Sequence, residues 1–200
     1  MTPKRRRKGA RLVLLRAYIV GRQTVELRDE IMGHRDATYV IFDGDEDKWA
    51  YGYMKGWRQS EHVDFDFRDA HDLDNMTSRA KGEAYVKSRL RDRMANSAAA
   101  VILLGEKTKN LYRFVRWEIE LAIELGLPII VVNLNQKKTV DRERCPPIIR
   151  EQCAIHVPFK AAAIKYALDN WPSSLRRKNA TEKAKGARIY SDEVYKGLGL

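Results

Sequence analysis

The sequence predicts an α/β fold, an open parallel sheet with helices on both faces. Three observations carry this reading. Strand-like and helix-period segments alternate from residue 38 onward. Two strand-like runs, Ala98–Leu104 and Pro128–Leu134, are almost free of polar residues, as strands covered on both faces must be. The 200 residues, 44% of them hydrophobic, amount to one domain with a sizeable core.

Each element follows in order. A basic arm precedes a patchily amphipathic helix over Arg11–Met32, which ends near Gly33. Thr38–Phe42 is β-branched and aromatic and stops at the turn Asp43-Gly44-Asp45, so it is the first strand. A helix is expected over Asp47–Arg58. Val63–Phe67 alternates with period two and reads as a half-buried edge strand, and His71–Ser78 reads as a polar loop. Gly82–Met94 places Tyr85, Val86, Leu90 and Met94 at helical spacing. Ala98–Leu104 ends at Gly105. Leu111–Leu125 is a helix closed by Gly126, with Pro128 just beyond. Pro146-Pro147 opens a short helical or irregular piece, Ile155–Pro158 is a short last strand, and a helix over Ala161–Asn170 stops at Trp171-Pro172. The expected organisation is an arm and helix over 1–35, the α/β domain over 36–172, and a flexible basic tail over 173–200.

The net charge of +11 is not spread evenly. Residues 1–11 and 175–188 hold the excess, and the body between them is nearly neutral. Basic ends of this kind can touch nucleic acid or another polyanion weakly through phosphate neutralisation, or simply keep the chain soluble. They read no sequence, and no zinc-finger, RRM or KH signature accompanies them. The longest apolar runs fall well short of the roughly 20 residues of a membrane helix. The N-terminus lacks a secretory cleavage pattern. Cys145 and Cys153 have no metal-like spacing and fit reduced thiols in a cytoplasmic protein.

The most informative residue is Glu118. On a wheel of 3.6 residues per turn, Phe114, Trp117, Leu121, Ala122 and Leu125 form an apolar face, with Val115 and Ile119 on its flank. Glu118 points from the middle of that arc, whereas Glu120, Glu124, Arg113 and Arg116 lie opposite. Burying a carboxylate costs several kcal/mol unless it is paired, hydrogen-bonded or protonated. A clamp of backbone amides or a buried arginine would be the purely structural explanation. The helix follows a buried strand, however, so its first turns lie near the sheet's carboxyl edge, where open α/β sheets hold ligands. The positive end of the helix dipole would favour a charge there. The turn Asp43–Asp47 opens onto the same edge, which makes Glu118 a candidate site carboxylate. One such carboxylate suffices to break a glycosidic bond whose leaving group needs no protonation. The cationic nicotinamide of an oxidised dinucleotide meets that condition, because it departs as a neutral molecule.

Phe42-Asp43-Gly44-Asp45-Glu46-Asp47, Lys55-Gly56-Trp57 and Phe65-Asp66-Phe67 with Asp69, His71 and Asp72 resemble the front half of the TIR-like domains of Thoeris antiviral systems, of the ThsB type. Val101–Thr108, Val115-Arg116-Trp117-Glu118-Ile119 and Gly126-Leu127-Pro128-Ile129-Ile130 resemble the back half. The resemblance covers roughly residues 38–135. It implies a flavodoxin-like TIR fold and cleavage of NAD+, as substrate and not cofactor, at the nicotinamide–ribose bond. The ADP-ribose product would be released or cyclised into a signalling nucleotide. It also implies that Glu118 is catalytic, that Phe42, Asp43, Gly44 and Asp45 line the nicotinamide ribose beside Trp117, and that Asp69 and His71 cover the site. Many relatives carry Ser-Phe or Ser-Tyr where this chain has Ile41-Phe42. Self-association is a further implication of the resemblance.

Other constellations are weaker. The acidic turn at Asp43, Asp45, Glu46 and Asp47 could bind a divalent ion, but the strand ending at Leu104 offers no acceptor aspartate, and solvated surface is the preferred reading. Gly105-Glu106-Lys107-Thr108 lacks the glycine spacing of a phosphate loop and reads as a helix cap. His71 and His156 have no nucleophile arranged beside them and read as satisfied or exposed histidines. Trp49, Trp57 and Trp117 are ordinary core candidates, and Cys145 a plain surface or packing thiol. Two non-catalytic alternatives stand beside the enzyme: an assembly module, and a sensor that holds a nucleotide without cleaving it.

Overall fold

The computed structural model describes residues 37–61, 63, 65, 68–69, 82–110 and 113–200. The expected basic arm, the Arg11–Met32 helix and the His71–Ser78 loop lie outside the described residues. Six parallel strands form one sheet in the order β2-β1-β3-β4-β5-β6. They are β1 (Ala37–Ile41), β2 (Arg68–Asp69), β3 (Ala99–Leu104), β4 (Ile129–Asn133), β5 (Ile155–Pro158) and β6 (Arg188–Ile189). The helices are α1 (Lys48–Gln59), α2 (Glu83–Met94), α3 (Arg113–Glu124), α4 (Pro147–Arg150), α5 (Ala161–Arg177), α6 (Ala180–Lys183) and α7 (Asp192–Gly197). This is the open parallel α/β sheet that the alternation predicts, in the flavodoxin-like order that the resemblance implies, with a short sixth strand added.

Period-two alternation sorts the central strands between two cores. Val40, Phe42, Val101, Leu103, Ile130 and Val132 face Ala50 and Met54 of α1 and Ile164, Ala167 and Leu168 of α5. Tyr39, Ile41, Ala100, Ile102 and Val131 face Val86, Leu90 and Met94 of α2 and Val115, Ile119 and Ala122 of α3. All six residues of β3 and all five of β4 are buried. The pairing Tyr39↔Ala100 and Val101↔Ile130 fixes this assignment, since a slip of one residue would send each side chain to the other core.

The end of α3 shows why that helix stops where it does. Gly126 adopts φ +64°, Leu127 N–H donates to the Ala122 carbonyl at 3.0 Å and Gly126 N–H to the Ile123 carbonyl at 3.0 Å. That double closure is a Schellman motif, which needs a residue free to turn left-handed.

Four expectations are corrected. The edge strand paired to β1 is Arg68–Asp69, not Val63–Phe67; Phe65 instead turns its ring edge-on to Trp57, with centroids 5.7 Å apart. The last long helix does not stop at Pro172 but runs through it to Arg177. Trp171 and Pro172 are both buried there, so core packing outweighs the lost backbone donor. The Asn170 side-chain amide donates to the Tyr166 carbonyl and the Ser173 hydroxyl to the Asn170 carbonyl, at 2.8 and 3.1 Å. The segment 173–200 is not a flexible tail. Asn179 and Glu182 form a reciprocal capping box on α6, β6 pairs with β5, and Tyr195 is buried among residues of the first core. Finally, the apolar arc of α3 is rotated toward Val115, Glu118, Ile119, Leu121 and Ala122, leaving Phe114 45% exposed. Small and branched side chains fit flush against the sheet, and the large aromatics move to the rim.

No helix among the described residues is long and apolar enough to cross a membrane.

Candidate functional site

Rotation of α3 puts Glu118 at the centre of the buried face. It is 7% exposed. The Tyr39 hydroxyl of β1 donates to Glu118 Oε1 at 2.7 Å, and this bond joins residues 79 apart in sequence. No basic side chain among the described residues comes within ion-pair distance of it. Burial raises the carboxyl from the ordinary 4.5 to about 7; the Tyr39 hydrogen bond and the more distant Arg93 charge act in the opposite direction. At neutral pH this acid is therefore poised between its two forms. It is neither exposed nor clamped by an arginine.

The loop after β1 is built around Asp43, which is also buried. Its Oδ1 accepts the backbone N–H groups of Asp45 and Glu46 at 3.0 and 3.4 Å, and its Oδ2 has no partner. Gly44 and Asp45 are exposed at the tip. Phe42 stacks on Tyr51, with centroids 4.9 Å apart, and belongs to the α1–α5 core. The expected solvated acidic turn is thus half correct. Asp47 is buried, and desolvation raises its carboxyl to about 6, with the neighbouring Asp43 and Glu46 charges pushing the same way and Thr108 and Arg144 opposing.

Gly105 and Thr108 make that burial possible. Thr108 Oγ1 accepts the Gly105 N–H at 2.8 Å and donates toward Asp47 Oδ2 at 3.3 Å. A Cβ on Gly105 would lie 2.1 Å from Asp47 Oδ1, so only glycine admits the carboxylate. Lys107 pairs with Glu46 across the two loops. Together Glu46, Asp47, Trp49, Gly105, Glu106, Leu134 and Arg144 line a cavity of about 260 Å³. It sits at the carboxyl ends of β1, β3 and β4, spanning the β1/β3 switch point where open sheets hold ligands.

Glu118 does not line that cavity. Its partner Tyr39 lies four residues before Asp43, roughly 13 Å of extended chain. The structure therefore brings Asp43, Gly44 and Asp45 together in one loop and holds Glu118 of α3 against Tyr39 of β1. Trp117 is half-buried. Its ring is flanked by Lys87 Nζ at 4.7 Å and Arg113 Cζ at 4.9 Å, on a groove between α2 and α3. Asp69 contributes backbone to β2, while its side chain and all of His71 lie outside the described residues. No cluster of three potential metal-ligating side chains occurs among the described residues.

Tyr39 is not singled out by the sequence, and Asp47, Thr108 and His156 are visible there without the buried contacts the structure gives them. A tyrosine inside an otherwise apolar strand is a signal, because its buried hydroxyl requires a partner. His156, expected to be exposed or satisfied, is fully buried with both ring nitrogens unpartnered, and desolvation lowers it to about 4. Cys145 is a buried thiol, and Trp49 is half-exposed instead of core.

The sheet order, with a buried glutamate in the helix after the third strand, is the arrangement that the resemblance to TIR-like domains implies. Residues 39–139 match the family model described as "Thoeris protein ThsB, TIR-like domain". The chain belongs to that family, whose role is of the bacterial antiviral TIR type. No curated protein matches it. Similar solved structures include the crystal structure of a conserved protein from Enterococcus faecalis V583, at 16% identity and a TM-score of 0.37, with 54% of this chain and 69% of that chain covered.

Proposed function

We propose that this protein is an NAD+-cleaving enzyme of bacterial antiviral defence, with Glu118 as its catalytic carboxylate. The observation that carries this reading is the placement of Glu118: a carboxyl at the centre of an apolar helix face, held by one tyrosine and lacking a cationic partner among the described residues. Such an acid costs stability at neutral pH, and a glutamine or leucine would serve packing better. Oxidised nicotinamide supplies the missing positive charge. In the reaction the bond between the ribose carbon and the nicotinamide nitrogen breaks, its electron pair leaves with nicotinamide, and the ribosyl cation is stabilised by the Glu118 carboxylate. Water captures that cation and loses a proton, giving linear ADP-ribose; capture by an adenine nitrogen or a ribose hydroxyl gives a cyclic product. In this reading the Asp43–Asp45 loop positions the nicotinamide ribose, together with Phe42, Trp117, Asp69 and His71, and the protein acts in the cytoplasm as a self-associated form. Its basic ends add at most weak polyanion contact.

The test is to incubate the full chain with NAD+ at several protein concentrations, with and without a crowding agent that forces assembly, and follow nicotinamide by chromatography. Release that rises with protein concentration supports the enzyme. No release under any of these conditions overturns it.

A second reading, a sensor that holds a nucleotide without cleaving it, is favoured by the cavity beside Asp47, which Glu118 does not line. NAD+ or ADP-ribose binding measured by calorimetry, without nicotinamide release and weakened by Asp47→Asn, would support that reading.

A further inference from the structure

We infer that Tyr39 is the positioning residue of Glu118: its phenol hydroxyl, fixed in a central strand, holds carboxyl oxygen Oε1 in place and leaves Oε2 for the substrate. The inference deepens the enzyme reading and rests on it. The contact is a 2.7 Å hydrogen bond between two buried side chains. Tyr39 is fully buried on β1, whose residues pair with β2 on one side and with β3 on the other, where Tyr39 lies opposite Ala100. Its ring packs in the core shared with Ile41, Ile102, Val115 and Ile119. The hydroxyl therefore cannot follow the carboxylate if the carboxylate swings; the sheet dictates where Oε1 must be. Oε2 takes no hydrogen bond from a described residue. A phenylalanine would fill the same volume, so the hydroxyl is the part that distinguishes this position.

The hydroxyl also sets charge. A donor to an ionised carboxylate stabilises the charged form, opposing burial. Among the described residues, the groups acting on Glu118 are Tyr39 from β1 and Arg93 from the last turn of α2, with Tyr39 the stronger. Removing the hydroxyl should weaken ionisation about tenfold, an upward shift of about one pH unit.

The experiment is carbon-13 NMR of the full chain labelled in glutamate side-chain carboxyls, with the Glu118 signal assigned by its loss in Glu118→Gln. Titration of wild type and Tyr39→Phe should show the midpoint moving upward by about one unit in the variant, and Arg93→Gln should move it less. An unmoved midpoint in folded Tyr39→Phe overturns the inference. Should Tyr39→Phe fail to fold, 3-fluorotyrosine placed at position 39, a stronger donor, should move the midpoint downward, and an unmoved midpoint there overturns it equally. In parallel, the acidic limb of the pH profile for nicotinamide release should move with the NMR midpoint in Tyr39→Phe. A limb that stays put while the midpoint moves also overturns the positioning role. Wild type that releases no nicotinamide sinks the enzyme reading alone, because the NMR titration still decides whether Tyr39 governs Glu118.

Discussion

Replacing Glu118 with glutamine should stabilise the protein, and the gain should depend on pH in one direction. The folded carboxyl titrates near 7 against 4.5 for the ordinary group, because burial penalises its charge. Between these values the unfolded chain has already released the proton that the folded chain still holds, so wild-type stability falls as pH rises through this window. Above pH 7 the loss is complete, at about 3 kcal/mol; at pH 5 it is about 1 kcal/mol. Glutamine is isosteric, keeps an oxygen for the Tyr39 hydroxyl and cannot ionise. Glu118→Gln should therefore outlast wild type by about 2 kcal/mol more at pH 8 than at pH 5, equivalent to roughly 4–8 °C in Tm. Taking the difference between the two proteins cancels every other titrating group. Urea denaturation at both pH values measures it. A gap that is equal at pH 5 and pH 8 would mean that Glu118 ionises as freely when folded as when unfolded, contrary to its burial.

Further outcomes follow from the same structure. His156, buried and unpartnered, titrates near 4 when folded against 6.5 in the ordinary group, so it contributes an opposite slope: stability is lost as pH falls from 6.5 toward 4. Relative to His156→Leu, wild type should lose about 2–3 kcal/mol between pH 7 and pH 4.5; parallel acid-denaturation curves would contradict this. Gly105→Ala should lower Tm, because its Cβ would drive the Asp47 carboxylate off Thr108, at a cost of about 1–3 kcal/mol. An unchanged melting curve would show that the two loops are not locked together. Deleting residues 179–200 removes β6 and uncovers the core around Tyr195, and it should cost at least about 3 kcal/mol or abolish soluble expression. Retention of full thermal stability would restore the idea of a dispensable tail.

How far the fold could be read from residues depended on whether the determining contacts are local. The strands at 37–41, 99–104 and 129–133 were legible because β-branched and aliphatic runs between turn residues leave few alternatives. The end of α3 was legible because Gly126 and Pro128 punctuate it. Pro172 misled because its cost is local, whereas what overrides it, burial of Trp171 and Pro172 in the core, is tertiary. The segment 173–200 misled because its cations hide three anchors, Tyr190, Tyr195 and Leu200, whose five-residue spacing matches neither the helix nor the strand period. Glu118 stood out as an acid among apolar neighbours on one helix. Tyr39 and the Asp47–Thr108 pair did not, because their partners lie 79 and 61 residues away. Phe114 and Trp117 weighted the helical wheel toward the wrong side, since large aromatics dominate a hydrophobicity pattern even where smaller residues fit the sheet better.

The most direct measurement is single-turnover nicotinamide release from NAD+ by wild type and Glu118→Gln at pH 8, each at concentrations where self-association is established by light scattering. At that pH the variant should be the more stable protein, so its failure cannot be ascribed to unfolding. Wild type should release nicotinamide, and the variant should do so at least a hundredfold more slowly, about 2.7 kcal/mol in the barrier. Equal release by both would remove the buried carboxylate from the chemistry altogether.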